Sequence, residues 1–202
     1  MKRKIGIMGG TFDPIHIGHL ILAEKAYQQF KLDKILFMPA GNPPHKQNRE
    51  GRATDAQRIE MVRRAIADNA HFELSLDEMN ADGYSYTYRT LERLKGQNPD
   101  TEYYFIIGAD SLFDFEGWKE PARICQAAKL LVAGRNHVEQ NRLIRQMEYL
   151  STKYKGEFFL LDIPNLDISS KMLRKWIAES ETILYYVPDS VYTFIEEEKI
   201  YR

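Results

Sequence analysis

Short apolar runs alternate with amphipathic segments along almost the whole chain, and this alternation limits the fold more than any other feature. Residues 4–8, 35–38, 103–107 and 158–161 are compact apolar runs, and residues 127–133 form another that ends at Gly134. Residues 72–76 alternate, as a strand nearer a sheet edge does. Between the runs, apolar residues recur at helical spacing: Leu20, Ala23, Tyr27 and Phe30 first, then Ile59, Val62, Ala65 and Ile66 behind a cap at Thr54 or Asp55. A helix from Ser85 passes through Leu91 and Leu94, residues 138–154 carry helical periodicity, and residues 169–179 and 188–198 close the chain as helices. Strands alternating with helices predict right-handed βαβ units around a parallel sheet. The expected fold is therefore α/β, a Rossmann-like doubly wound parallel sheet. We expect a single domain over residues 1–202, with residues of about 165–202 as a small C-terminal helical lobe.

Composition narrows the function classes. The 202 residues carry 28 Lys+Arg and 29 Asp+Glu, a formal net charge of −1. That balance disfavours a nucleic-acid protein held by a broad basic surface, and leaves a small local anion site open. Cys125 is the single cysteine, so no intrachain disulfide forms and a reducing compartment, the cytoplasm, is expected. No run approaches the ~20 apolar residues of a membrane helix, so no membrane role is expected. The sequence leaves oligomeric state open, a homodimer included.

The chemistry concentrates where the first strand ends. Gly9-Gly10-Thr11-Phe12-Asp13-Pro14-Ile15-His16-Ile17-Gly18-His19-Leu20 runs from that strand into the first helix. In doubly wound sheets the ligand crevice lies beyond the carboxyl ends of the strands. Gly9 and Gly10 let the backbone approach a phosphate, and the helix start offers N–H groups and a positive dipole end. His16 and His19, three residues apart, face one side of the first helical turn. Gly18 has no side chain to obstruct a ligand, and Thr11 adds a hydroxyl. A glycine pair alone is only a turn. Two histidines could also begin a metal site, but no third ligand stands at a suitable spacing. The Gly-x-Gly-x-x-Gly dinucleotide fingerprint and the P-loop lysine are both absent.

Taken whole, this segment resembles the signature of the nucleotidyltransferases with the His-x-Gly-His motif. Within that superfamily it is most similar to the bacterial nicotinate-nucleotide adenylyltransferases. The class I aminoacyl-tRNA synthetases share the four letters, but are far longer than 202 residues. A second signature half stands as Ile168-Ser169-Ser170-Lys171-Met172-Leu173-Arg174, where Lys171 replaces the usual small hydroxyl residue. Ser169 and Ser170 are natural helix caps, and Arg174 adds a cation on the same helix face. Asn42-Pro43-Pro44-His45-Lys46 resembles a substrate loop of the same family, and Ser85-Tyr86-Thr87 a further segment. The run 105–111, with Gly108-Ala109-Asp110-Ser111, matches the family's strand and turn, although Asp110 also suits an N-cap. Trp118 and Arg135 match two more positions, with core packing and a solvated surface as their plain alternatives.

The resemblance implies an enzyme that joins ATP to nicotinate mononucleotide, yielding nicotinate adenine dinucleotide and pyrophosphate by direct attack without a covalent enzyme intermediate. His16, His19, Thr11 and Arg174 would be catalytic. Gly9, Gly10, Thr11, Phe12, His16, Gly18, His19, Gly108, Asp110, Ile168, Ser169, Ser170 and Arg174 would hold ATP. His45, Lys46, Thr87, Trp118 and Arg135 would hold the mononucleotide. Mg2+ would arrive on the ATP phosphates, with no metal ligand from protein side chains. Phosphopantetheine adenylyltransferases share the fold, but typically have threonine in place of His16. A non-catalytic nucleotide sensor would have less need of both histidines, Ser169, Ser170 and Arg174.

Overall fold

The computed structural model describes residues 2–41, 51–79, 85–134, 140–164 and 166–202. Six strands form one sheet: β1 (Arg3–Gly10), β2 (Lys34–Pro39), β3 (Phe72–Leu74), β4 (Thr101–Gly108), β5 (Lys129–Ala133) and β6 (Phe158–Leu161). Their order is β3-β2-β1-β4-β5-β6, and every neighbouring pair is parallel. The chain winds outward from β1 in one direction, then returns to β4 and winds the other way. The switch point therefore lies between β1 and β4, where a doubly wound sheet opens its crevice.

The helices are α1 (Ile17–Phe30), α2 (Asp55–Ile66), α3 (Thr87–Gln97), α4 (Ala109–Phe113), α5 (Pro121–Ala127), α6 (Gln140–Tyr154), α7 (Ser170–Ala178) and α8 (Asp189–Glu197). Period-two alternation divides the strands between two apolar layers. Tyr104, Ile106, Leu131 and Ala133 face the layer covered by α1, α2, α7 and α8. Tyr103, Phe105, Ile107, Leu130 and Val132 face the layer covered by α3 to α6. Both faces are buried, which is why the central strands read as continuous apolar runs. Gly6 is required by close packing: a Cβ there would stand 2.4 Å from Ile35 Cδ1.

Boundaries depart from the sequence reading where side chains intervene. Thr54 caps α2 by accepting from the Gln57 amide at 3.2 Å. Helix α3 begins at Thr87 rather than Ser85, because the Ser85 hydroxyl turns back to the Glu78 carbonyl at 3.2 Å. Residues expected to open the fifth strand at 127 belong to α5, which Pro121 starts at its first position. The short α4 was not anticipated from periodicity, being too brief to show one. In the C-terminal helices, Leu173, Ile177, Val191, Phe194 and Ile195 share one apolar cluster with Phe37, Met61 and Ala23.

Candidate active site

The carboxyl ends of β1 and β4 open into two adjoining cavities. One, of ≈ 420 Å³, is lined by His16, Gly18 and His19 from the β1–α1 junction, by Gly108 beyond β4, and by Ser169 and Ser170 at the start of α7. The other, of ≈ 190 Å³, is lined by Gly10, Ala40, Glu78, Thr87 and Thr90. Gly9, Phe105 and Trp118 line both. The two chambers therefore meet above the end of the first strand.

The β1–α1 junction is built from its own side chains. Phe12 takes a left-handed backbone (φ 51°) and buries its ring edge-on against His19, with centroids 5.1 Å apart. Its side chain is thus core. The His16 and His19 rings stack, 3.7 Å between centroids and 25° between planes. The His16 amide donates to His19 Nδ1 at 3.2 Å. An acceptor at Nδ1 places the proton of a neutral imidazole on Nε2. Gly18 borders the larger chamber and also has a packing use. A Cβ at Gly18 would stand 3.0 Å from His16 Nδ1, so the missing side chain makes room for the His16 ring.

The amides expected to serve an anion are partly engaged. The Ile17 amide donates to the Tyr186 carbonyl at 2.9 Å, and the His19 amide to the His16 carbonyl at 2.9 Å. The two imidazoles border the larger chamber beside them. At α7, Ser169 caps the helix by accepting from the Met172 amide at 3.2 Å. The Ser170 hydroxyl donates to the Pro14 carbonyl at 2.9 Å. Arg174 Nη1 donates to the Asp13 carbonyl at 2.5 Å. The two signature halves, about 150 residues apart, are therefore joined directly. Lys171 points to solvent.

Other expected positions are distributed more widely. Thr87 is the first residue of α3, whose positive end faces the smaller chamber. Asp110 sits in the first turn of α4 and is exposed; the cap there is Gly108. Trp118 is half-buried against Phe105 and Phe115, so it packs and lines at once. Ile168 and Gly108 border the larger chamber. Thr11 presents its carbonyl to the interior. His45, Lys46 and Arg135 lie outside the described residues.

Three residues escaped the sequence reading. Arg58 is a buried cation whose Nη1 donates to the Thr11 carbonyl at 2.6 Å. Its Nη2 donates to the Ala40 carbonyl at 2.8 Å and to Asp55 Oδ1 at 2.9 Å. One guanidinium thus ties the loop after β1 to the end of β2. Asp13, 2% exposed, accepts at Oδ1 from the Ala53 amide (3.1 Å) and from the Tyr201 phenol (2.8 Å). Glu78 accepts from the Thr90 hydroxyl at 2.9 Å, and burial pushes its carboxyl above the usual range. A buried Arg58 on the same helix as the exposed Arg63 gave no distinguishing signal in the helical pattern of α2. Cys125 lies in α5 and lines neither chamber, its thiol pushed up to about 11 by burial. Among the described residues, no group of three or more His, Cys, Asp or Glu could hold a metal ion. No helix among them is long and apolar enough to cross a membrane.

The chain resembles known proteins over its full length. A cytidylyltransferase-like family model matches residues 7–176. A protein of Lachnoclostridium phytofermentans named probable nicotinate-nucleotide adenylyltransferase is 41% identical over 199 residues, 98% of this chain and 99% of the relative. One of the same name from Clostridium botulinum (strain Alaska E43) is 44% identical, covering 99% and 98%. Among solved structures, Plasmodium falciparum nicotinic acid mononucleotide adenylyltransferase complexed with NaAD superposes with a TM-score of 0.79. It covers 98% of this chain and 97% of its own at 20% identity, a likeness of fold.

Proposed function

The chain belongs to the cytidylyltransferase-like family, with the nicotinate-nucleotide adenylyltransferases, and on that premise we propose how its own residues perform the reaction. The enzyme joins ATP to nicotinate mononucleotide, releasing pyrophosphate and forming nicotinate adenine dinucleotide. The observation that carries the mechanistic reading is the pair of chambers meeting at Gly9, Phe105 and Trp118. A reaction between two nucleotides needs two pockets whose mouths share one point.

In this reading the larger chamber takes ATP. Its adenosine end lies beyond β4 and β5, by Gly108, Asp110 and Ile168, and its triphosphate lies between the imidazoles and the start of α7. The smaller chamber takes the mononucleotide. The positive end of α3 at Thr87 suits the nicotinate carboxylate, and Trp118 offers its ring to the pyridine. His45, Lys46 and Arg135 belong to the same assignment as cationic contacts for this anionic substrate. A phosphate oxygen of the mononucleotide attacks the α-phosphorus of ATP. The new P–O bond forms as the bond to the β-phosphate breaks, and pyrophosphate carries the electrons away.

No protein nucleophile is needed, so catalysis consists of positioning and charge stabilisation. His19 donates from Nε2 to a phosphate oxygen, and His16, stacked on it, donates beside it. The backbone of Gly9, Gly10, Thr11 and Phe12 closes the near side. Arg174, with Nη1 on the Asp13 carbonyl, turns its remaining N–H groups to the β- and γ-phosphates. Ser169 and Ser170 hold the start of α7 against the same phosphates. The donors here are N–H groups, which suit anions rather than cations. A divalent ion, which we take to be Mg2+, would therefore be held by triphosphate oxygens and water, where it neutralises charge and polarises the α-phosphorus. The single cysteine suits a reducing compartment, and we assign the enzyme to the cytoplasm.

The test is pyrophosphate release from ATP with nicotinate mononucleotide, nicotinamide mononucleotide or phosphopantetheine as acceptor. Release fastest with the nicotinate compound supports the assignment. Release only with phosphopantetheine, or with none, overturns it.

A further inference from the structure

Asp13 sits between two cations and one phenol, and its two oxygens have different partners. Oδ1 takes the Ala53 amide and the Tyr201 phenol. Oδ2 is buried without a hydrogen-bond partner among the described residues. It faces Arg174 Nη1 at 3.7 Å and Arg52 Nη1 at 3.9 Å, ion-pair separations beyond hydrogen-bond reach. Arg174 Nη1 instead donates to the carbonyl of the same aspartate. The phenol comes from the penultimate residue of the chain, 188 positions from Asp13. The last turn aims it there through left-handed backbone at Lys199 (φ 51°) and Tyr201 (φ 70°). Side chains of this kind rarely adopt that region, and it persists where the surroundings over-determine it.

We propose that Tyr201 is a positioning residue for the adenylyl transfer, holding the Asp13 carboxylate by Oδ1 so that Oδ2 does not capture Arg174. An unsatisfied buried carboxylate oxygen beside a guanidinium gains by closing the gap. Anchored on the far oxygen by phenol and amide, it stays back, and Arg174 keeps donors for the triphosphate. Without the phenol, the carboxylate is free to turn about its own axis and draw Arg174 in. Burial and the neighbouring carboxylate push the phenol far above its ordinary range, so it remains a donor throughout working pH. The Arg174 assignment to the triphosphate underlies this inference.

The experiment is a double-mutant cycle read by steady-state kinetics. Tyr201→Phe removes one oxygen and should lower kcat/KM for ATP about 5- to 10-fold, leaving KM for nicotinate mononucleotide within about twofold. In an Arg174→Ala background the same change should have no further effect. Asp13→Asn keeps an acceptor for Tyr201 and Ala53 while removing the charge from the Oδ2 position. With no charge left to capture Arg174, Tyr201→Phe in that background should change kcat/KM for ATP by less than about twofold. A Tyr201→Phe loss of equal size with and without Arg174 overturns the inference, as does a fall in melting temperature with unchanged kinetics. If Arg174→Ala itself turns over like the parent, the assignment of Arg174 is wrong and the inference falls with it.

Discussion

The His16 amide donates to His19 Nδ1 at 3.2 Å while the two imidazoles lie stacked with centroids 3.7 Å apart. The backbone of one histidine thus favours the Nε2–H tautomer of the other, which under the proposed function supplies a donor to phosphate. His19→Ala is expected to lower kcat about a hundredfold or more, the scale of losing a donor to developing charge. Pyrophosphate release at saturating ATP measures it. Turnover near that of the parent would remove His19 from the mechanism.

Gly18 offers a separation of activity from stability. Alanine there favours a helix by up to about 1 kcal/mol, but its Cβ meets the His16 ring at 3.0 Å. Gly18→Ala should keep the melting temperature within a few degrees and lower kcat by about tenfold, because His16 must shift by a few tenths of an ångström. Paired thermal and kinetic measurements check this; unchanged kcat would mean that the ring relaxes without consequence.

Arg58 should matter through shape more than charge. Its planar fork reaches the Thr11 and Ala40 carbonyls together, and a lysine ammonium cannot span both. Arg58→Lys is expected to cost about 2–4 kcal/mol of stability, the scale of buried charge-assisted hydrogen bonds. Denaturant unfolding reads it directly. A cost below about 0.5 kcal/mol would show that the tether is dispensable.

Glu78 ties its own titration to folding. Burial, the largest cause, raises its carboxyl above the ordinary value, with the Thr90 hydroxyl acting in the opposite direction. A folded pKa above the unfolded one gives a contribution that is full below the unfolded pKa, ~4.3, and lost as pH rises through the folded value. Glu78→Gln keeps an acceptor for Thr90 and has no charge to bury. Its melting temperature relative to the parent should therefore climb between acid and neutral pH. A difference that stays flat with pH would contradict the burial argument.

Period and punctuation were enough to identify the α/β class and the parallel sheet, and the glycines after β1 lie where the structure opens two chambers. These depend on residues within a few positions of one another: alternation in Tyr103 to Ile107, helical recurrence from Leu20 to Phe30, glycines at a strand end. The segments 9–20 and 168–174 both contribute walls to the larger chamber. The use of individual atoms was not legible there. Gly18 reads as room for a ligand, and its packing against the His16 ring appears only in the fold. The helix start reads as offering N–H groups, and one of them, at Ile17, is taken by Tyr186. Trp118 reads as one pocket's wall and lines two.

Asp13, Arg58 and Tyr201 mark the limit most clearly. In sequence they are a turn aspartate, one of several arginines on an amphipathic helix, and an aromatic residue near the chain's end. Only the folded chain brings Tyr201 across 188 positions to Asp13, and Arg174 across 161. Local pattern determines what each segment becomes, because helix and strand periodicities are set by near neighbours. Which buried polar atom finds which partner is decided by closure of the whole chain. Burial makes an unpaired polar group costly, so the fold settles where those partners meet.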